Sequence, residues 1–178
     1  MKWIKTIGLT LFAAILMSGC ATESSVEKVD GKEPAETETA DKKEEKTKES
    51  FTLGDTVSFD KLNITLTSAR VLPGDEFFTA ENDKFLAVEL NIENTGEKSA
   101  AISTIMNMSL MTSDGYQQDQ AIAADGKGSL DGELGAGRSM KGEIVFDVTE
   151  SEYYEFIFDD PFTNGQAIWK IEKNQIKK

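Results

Sequence analysis

From residue 51 onward, apolar and polar residues alternate with a period of two, and turn-forming residues interrupt the alternation about every ten positions. In residues 84–93, four large aliphatic side chains would share one face of a strand: Leu86, Val88, Leu90 and Ile92. Such alternation is typical of antiparallel strands with one buried and one solvated face. Seven to nine short strands in about 125 residues predict an all-β fold, an antiparallel β-sandwich, with a β-barrel as the second possibility.

The predicted strands follow the alternation, and helical periodicity is not convincing outside the first 19 residues. The strands are expected at 56–59, 62–72, 84–93, 106–110, 117–122, 140–146, 154–158 and 167–171. Residues 123–137 are rich in Gly, Asp and Ser and predict a mobile loop. The predicted core consists of Ile64, Leu66, Val88, Leu90, Ile92, Leu110, Ile144, Phe146, Phe156 and Trp169. The aromatic residues could instead form a ligand platform, but their spread over separate strands is more typical of a core.

The turns and strands at residues 51–57, 85–96, 113–115 and 134–148 resemble those of a known bacterial family. It is the Ig-like domain family of unknown function found in secreted proteins and lipoproteins of Gram-positive bacteria. The resemblance covers most of residues 51–171. It implies an immunoglobulin-like sandwich, similar to the fold of a secreted immunoprotective mycobacterial antigen. Because its motifs are structural, it implies no catalytic residues.

Residues 1–19 are typical of a secretory signal peptide. Two lysines precede an apolar run at residues 7–17, and two small residues then precede Cys20. The run is shorter than the ~20 residues that a membrane-spanning helix needs. The junction resembles the bacterial lipobox, with Met17 where leucine is usual. The resemblance implies that the cysteine thiol receives a diacylglycerol and that cleavage makes Cys20 the first residue of a lipoprotein carrying fatty acyl chains such as palmitate.

The alternative is a plain signal peptide cut near Ala21, which would leave a soluble secreted protein. A lipoprotein would instead be held on the extracytoplasmic face of the cell membrane. Each buried methylene contributes ~0.8 kcal/mol, so two acyl chains anchor a protein stably where one does not.

Residues 20–50 are expected to be the lipidated Cys20 followed by a disordered, charged linker, with the folded domain at residues 51–178. Residues 21–50 contain no aromatic residue and only two large aliphatic ones, Val26 and Val29. Such a segment cannot bury enough apolar surface to offset its loss of conformational entropy. A spacer is therefore expected, with a charged partner-binding segment as the alternative.

The acidic balance of the chain limits its partners. The formal net charge is −13, and loss of the two lysines in residues 1–19 would bring it to −15. That charge repels phosphate backbones, so nucleic acid is not an expected partner. The chain has no His, which removes the commonest general base and zinc ligand, and its single Cys excludes an intramolecular disulfide.

Acidic residues in the predicted loops are the remaining candidates for site chemistry. The Ca²⁺ candidates are Asp75, Glu76, Asp159 and Asp160, and Asp125, Asp131 and Glu133 could join them. None of these residues follows the spaced EF-hand pattern, and solvated loop carboxylates are the ordinary interpretation. No catalytic residue, cofactor or enzyme activity is expected.

The sequence thus predicts a membrane-anchored extracytoplasmic lipoprotein that displays a non-catalytic Ig-like binding domain. Its expected partners are the membrane, through the N-terminal lipid, and an envelope protein. One alternative is an envelope accessory or chaperone-like protein with an apolar groove around Met106, Met108 and Met111. The other is a carboxylate-dependent hydrolase.

Overall fold

The computed structural model describes residues 50–121 and 126–178 and, for their backbone only, residues 26–28. The predicted signal peptide and most of the predicted linker lie outside these residues. The strands are β1 (Val26–Lys28), β2 (Phe51–Thr52), β3 (Thr56–Phe59), β4 (Leu62–Leu72), β5 (Lys84–Asn94), β6 (Ala100–Ile102), β7 (Met108–Thr112), β8 (Gln117–Gln120), β9 (Gly132–Leu134), β10 (Ser139–Val148), β11 (Tyr153–Asp159), β12 (Gln166–Glu172) and β13 (Ile176–Lys177). A helical turn, α1 (Thr104–Asn107), and a 3₁₀ turn (Lys173–Gln175) complete the described elements.

The strands form two packed layers. One layer has the antiparallel order β1-β3-β4-β5-β10, and the other contains β7, β11 and β12, with β2 added parallel to β12. Strand β8 pairs with β10 and with β7, so it joins the two layers along one side. The prediction of an antiparallel β-sandwich is confirmed.

The core lies between the layers, and all ten predicted core residues are buried in it. Phe156 lies at its centre, with its ring centroid 6.4 Å from that of Phe146 and 6.1 Å from that of Trp169. The indole Nε1 of Trp169 donates a hydrogen bond of 3.2 Å to the carbonyl oxygen of Asp55. The alternative of an aromatic ligand platform is therefore wrong, because these rings fill the space between the sheets.

A buried tyrosine fixes the connection into β11. The Tyr154 hydroxyl donates a hydrogen bond of 2.6 Å to the carbonyl oxygen of Thr149. Burial raises the pKa of Tyr154 to about 12. A tyrosine near a strand start that bonds to backbone a few residues upstream recurs in Ig-like sandwiches. This contact ties the interstrand corner to the core.

The outer face of β5 and β10 departs from the predicted alternation. A second buried cluster lies there, formed by Leu72, Phe85, Ala87 and Val145. The connection between β4 and β5 is fastened to this face by Asp147, whose carboxylate accepts hydrogen bonds from Glu81 N–H (2.6 Å) and Asn82 N–H (3.0 Å). The prediction of a single buried face is wrong for these two strands because a loop covers the second face.

The strand predicted to begin at Met106 begins instead at Met108, after α1. The amide side chain of Asn107 accepts a hydrogen bond from Ser103 N–H (2.9 Å) and donates one to Asp159 O (2.9 Å). These contacts close a helical turn that the alternation did not reveal. None of the helices within the described ranges is both long and apolar enough to cross a membrane.

Two segments predicted to lack regular structure contain strands. Strand β1 lies in the predicted linker and pairs antiparallel with β3. Strand β9 lies within the predicted loop 123–137 and pairs with β6. Short edge strands such as these are stabilised by backbone pairing with a neighbour, which local composition does not report.

Candidate functional site

A cleft of about 530 Å³ opens at one end of the sandwich. It lies between the β3–β4 turn, the segment from the end of β5 through α1, and the β11–β12 loop. Six large apolar side chains line it: Phe59, Leu62, Ile102, Met106, Phe158 and Phe162.

The floor of the cleft is apolar and fixed. The rings of Phe59 and Phe158 meet edge to face with centroids 5.6 Å apart, one from each layer of the sandwich. Leu62 and Ile102 are also buried beside them. Phe59 reaches the floor because alternation along β3 turns its last residue inward. The floor is thus an extension of the hydrophobic core toward solvent.

Asn94 builds one wall. Its amide group is buried, donates hydrogen bonds to the carbonyl oxygens of Lys98 (2.7 Å) and Leu134 (2.8 Å), and accepts one from Gly96 N–H (2.9 Å). One side chain therefore holds the loop after β5 and strand β9 together. The sequence carries no signal for this role, because an Asn at a strand end is ordinarily interpreted as a turn residue.

The rim exposes large apolar side chains. Phe162 is 84% exposed and Met106 is 53% exposed. Ile105, next to Met106 in α1, is 75% exposed but does not line the cleft. The Asp160 carboxylate accepts a hydrogen bond of 2.9 Å from Phe162 N–H, which forms the turn that carries Phe162. Exposed apolar side chains gathered around a concave surface are typical of interaction sites.

Charged residues of both signs lie beside the apolar surface. Asp60, Glu97 and Asp160 contribute carboxylates, and Lys61 and Lys98 contribute ammonium groups. The chain has no His, so the serines that line the cleft have no histidine beside them. To a ligand, the cleft offers a concave surface with a large apolar part.

The Ca²⁺ candidates do not come together. Asp75 and Glu76 follow β4 at the end of the sandwich opposite the cleft, whereas Asp159 ends β11 and Asp160 lines the cleft. One carboxylate oxygen of Asp75 accepts hydrogen bonds from Phe77 N–H and Phe78 N–H, both of 2.7 Å. The Asp75 side chain therefore stabilises the loop in which it lies.

The additional Ca²⁺ candidates are also separated. The Asp131 carboxylate accepts a hydrogen bond of 2.8 Å from Thr104 N–H, and Glu133 is exposed on β9. Asp125 lies outside the described residues. Across residues 50–121 and 126–178, no three His, Cys, Asp or Glu side chains are placed to share a metal ion.

The predicted methionine groove does not form from its three residues. Met106 lines the cleft, but Met108 is buried in the core and Met111 is on the opposite face of β7. The prediction is wrong for Met108 and Met111 because Met108 shares the core-facing side of β7 with Leu110, whereas Met111 lies on the other side. Met106 is the one member of that set on the apolar rim.

A charged cluster centred on Glu143 lies on the outer face of β10. Glu143 accepts hydrogen bonds from Arg70 Nε (2.8 Å), Arg70 Nη2 (2.7 Å) and Lys127 N–H (2.8 Å). The Arg70 guanidinium holds the pKa of Glu143 below its usual value of 4.5, against the effect of burial. The cluster attaches residues 126–131 to β10, so its role is structural.

Comparisons with known proteins agree with this fold. A family model described as a domain of unknown function, DUF4352, matches residues 51–168. No curated protein matches the chain at a significant level.

The solved structures that are similar to the chain include the following three. A candidate lipoprotein of Bacillus subtilis, YcdA, has a TM-score of 0.57 and 17% identity; the match covers 71% of this chain and 40% of that one. The YjhA protein of Bacillus subtilis has a TM-score of 0.53 and 15% identity, with 68% and 99% of the two chains covered. The secreted protein MPT63 of Mycobacterium tuberculosis has a TM-score of 0.52 and 14% identity, with 71% and 99% covered. At these identities the likeness shows the fold, which is the Ig-like sandwich that the sequence resemblance implied.

Proposed function

The chain belongs to the DUF4352 family of domains of unknown function, and from that premise we propose that it is an extracytoplasmic lipoprotein anchored through Cys20, whose sandwich is a non-catalytic interaction module. The end cleft, with its apolar floor and exposed apolar rim, is the observation that carries this proposal. Two structural neighbours described as a candidate lipoprotein and a secreted protein support a location outside the cytoplasm.

The geometry of the cleft supports binding of an apolar ligand group. Its floor is already packed, so little ordering is needed when a ligand enters. Phe162 is exposed to solvent on a turn held by Asp160, so its ring is available to a ligand. Burial of exposed apolar surface contributes about 25 cal/mol per Å², so a few large side chains suffice for a specific contact.

A non-catalytic role is supported by the residue types present. The carboxylates at the cleft lie on separate turns, and the best-formed charged pair, Arg70 with Glu143, holds a loop on the outer face. The family adds no catalytic assignment.

The cleft can be tested with the apolar dye 1-anilinonaphthalene-8-sulfonate and the mature chain. The double substitution F162A/M106A should lower dye binding severalfold, because it removes two of the rim's exposed apolar side chains. A matched control, F77A/Y116A, removes two exposed aromatic residues at the opposite end and should leave dye binding nearly unchanged. Equal dye binding by wild type and F162A/M106A would show that the cleft is not the site.

A further inference from the structure

We propose that the cleft end of the domain faces the membrane and that its apolar rim, formed by Phe162 and Met106 with the exposed Ile105 beside Met106 in α1, rests on the lipid surface. This inference depends on the proposed anchor at Cys20 and goes beyond it by assigning an orientation and a ligand for the rim.

The register of β1 sets the direction of the chain. Val26 pairs with Phe59, and Lys28 pairs with Val57, in an antiparallel arrangement. Phe59 lies at the floor of the cleft. The chain preceding Val26 therefore leaves the domain at the cleft end.

The length of that chain limits where the domain can lie. Cys20 precedes Val26 by six residues, which span at most about 20 Å when fully extended. Strand β4 runs from Leu62 at the cleft to Leu72 at the opposite end, a distance of about 33 Å at the usual rise per residue. While β1 is paired with β3, the cleft end stays close to the bilayer and the opposite end points away from it.

The rim has the chemistry of a lipid-facing surface. Phe162 and Met106 at the rim, with the exposed Ile105 beside Met106, carry large apolar groups that would enter the boundary between headgroups and acyl chains. The neighbouring carboxylates outnumber the lysines, so attraction to anionic headgroups is not expected to drive the contact. Insertion of apolar groups should therefore occur on zwitterionic lipid and respond little to salt.

An envelope protein is the other occupant to consider. A link of at most about 20 Å leaves little room for a folded partner between the rim and the bilayer. The lipid surface, by contrast, is brought to the rim by the anchor itself. The geometry thus favours lipid.

The experiment uses the lipidated chain in phosphatidylcholine vesicles whose acyl chains carry bromine, a short-range quencher of tryptophan fluorescence. The native Trp169 is fully buried and supplies the background. The variant F162W adds a tryptophan at the rim, and the matched control F77W adds one at the opposite end, where Phe77 is 79% exposed. We expect strong quenching and a blue-shifted emission for F162W and neither effect for F77W.

The outcomes separate this inference from the proposed function. A chain that does not remain with the vesicles would contradict the anchor at Cys20. A chain that remains with the vesicles, while F162W is not quenched or both variants are quenched equally, would overturn the orientation and leave the anchor standing. Shielding of F162W only after a second envelope protein is added would assign the rim to a protein partner and also overturn the inference.

Strand β1 is tested separately with E27P/K28P in the F162W background. Alternate residues of an edge strand donate to the neighbour, so two adjacent prolines remove the donor in either arrangement. The link between Cys20 and the domain then lengthens, and quenching of F162W should fall markedly. Unchanged quenching would overturn the role assigned to β1.

Discussion

Glu143 determines how the outer face of β10 is covered. Its side chain is 3% exposed and forms a two-pronged pair with Arg70, whose side chain is 27% exposed. A carboxylate removed from water needs such partners, because an unpaired buried charge is strongly destabilising. The third hydrogen bond, from Lys127 N–H, also attaches residues 126–131 to β10.

Replacing this carboxylate should destabilise the domain. We expect E143Q to lower the free energy of unfolding by about 2 kcal/mol at neutral pH, a value reduced for the partial exposure of Arg70. The conservative control E93Q changes a solvent-exposed glutamate of β5 and should have little effect. Urea denaturation of the three chains measures the difference, and an unchanged midpoint for E143Q would show that the pair contributes nothing.

The same pair makes stability depend on pH. The pKa of Glu143 is lowered in the folded state from 4.5, so the unfolded chain takes up the proton first as pH falls. The stabilisation from this group is therefore complete above about pH 4.5 and is lost as pH falls through the folded pKa. The gap in stability between wild type and E143Q should accordingly narrow in acid.

At the scale of elements, residues 126–131 pass unusually close to β10. Gly128 bridges to Gly142 across the two segments. Gly128 has a φ of +73°, and a Cβ placed on it would lie 2.8 Å from the carbonyl oxygen of Lys141. A side chain there would meet both backbone strain and a backbone clash.

Two glycine substitutions separate those effects. Gly115 has a φ of +88° with open space around it, so G115A should lower the free energy of unfolding by about 1 kcal/mol through backbone strain alone. G128A should cost clearly more, because the segment must also move away from Lys141. Thermal melts of both variants make the comparison, and equal losses would mean that the close approach is not needed for stability.

The elements that the sequence predicted well are those whose burial follows from local alternation. Residues such as Ile64, Val88 and Phe146 lie between the sheets as expected, because period-two spacing turns them to one face. What the alternation missed depends on partners distant in sequence. Asp147 fastens a loop from residues 73–83, and Asn107 closes α1 by reaching Asp159.

The cleft was less predictable than the fold. Phe158 and Phe162 are both phenylalanines, four positions apart, yet Phe158 is in the core and Phe162 is exposed. The difference arises from the Asp160 turn and from the packing of Phe158 on Phe59. Neither contact has a signature in residue order, so the sequence predicted an interaction domain without locating its site.

In the complete domain, only one end of the sandwich combines a cleft with the entry point of β1 among the described residues. One end carries the apolar cleft and receives the chain that leads from Cys20. The charge of −13 keeps the chain soluble and repels anionic surfaces, so stable membrane attachment needs acyl chains. The partners within reach of the domain therefore depend on whether Cys20 carries the proposed lipid.

The proposed anchor at Cys20 can be tested by mass spectrometry of the N-terminal peptide of the protein purified from cell membranes. We expect the mature chain to begin at Cys20 and the sulfur of that residue to carry a diacylglyceryl group. A chain that begins elsewhere, or whose Cys20 is unmodified, would contradict it.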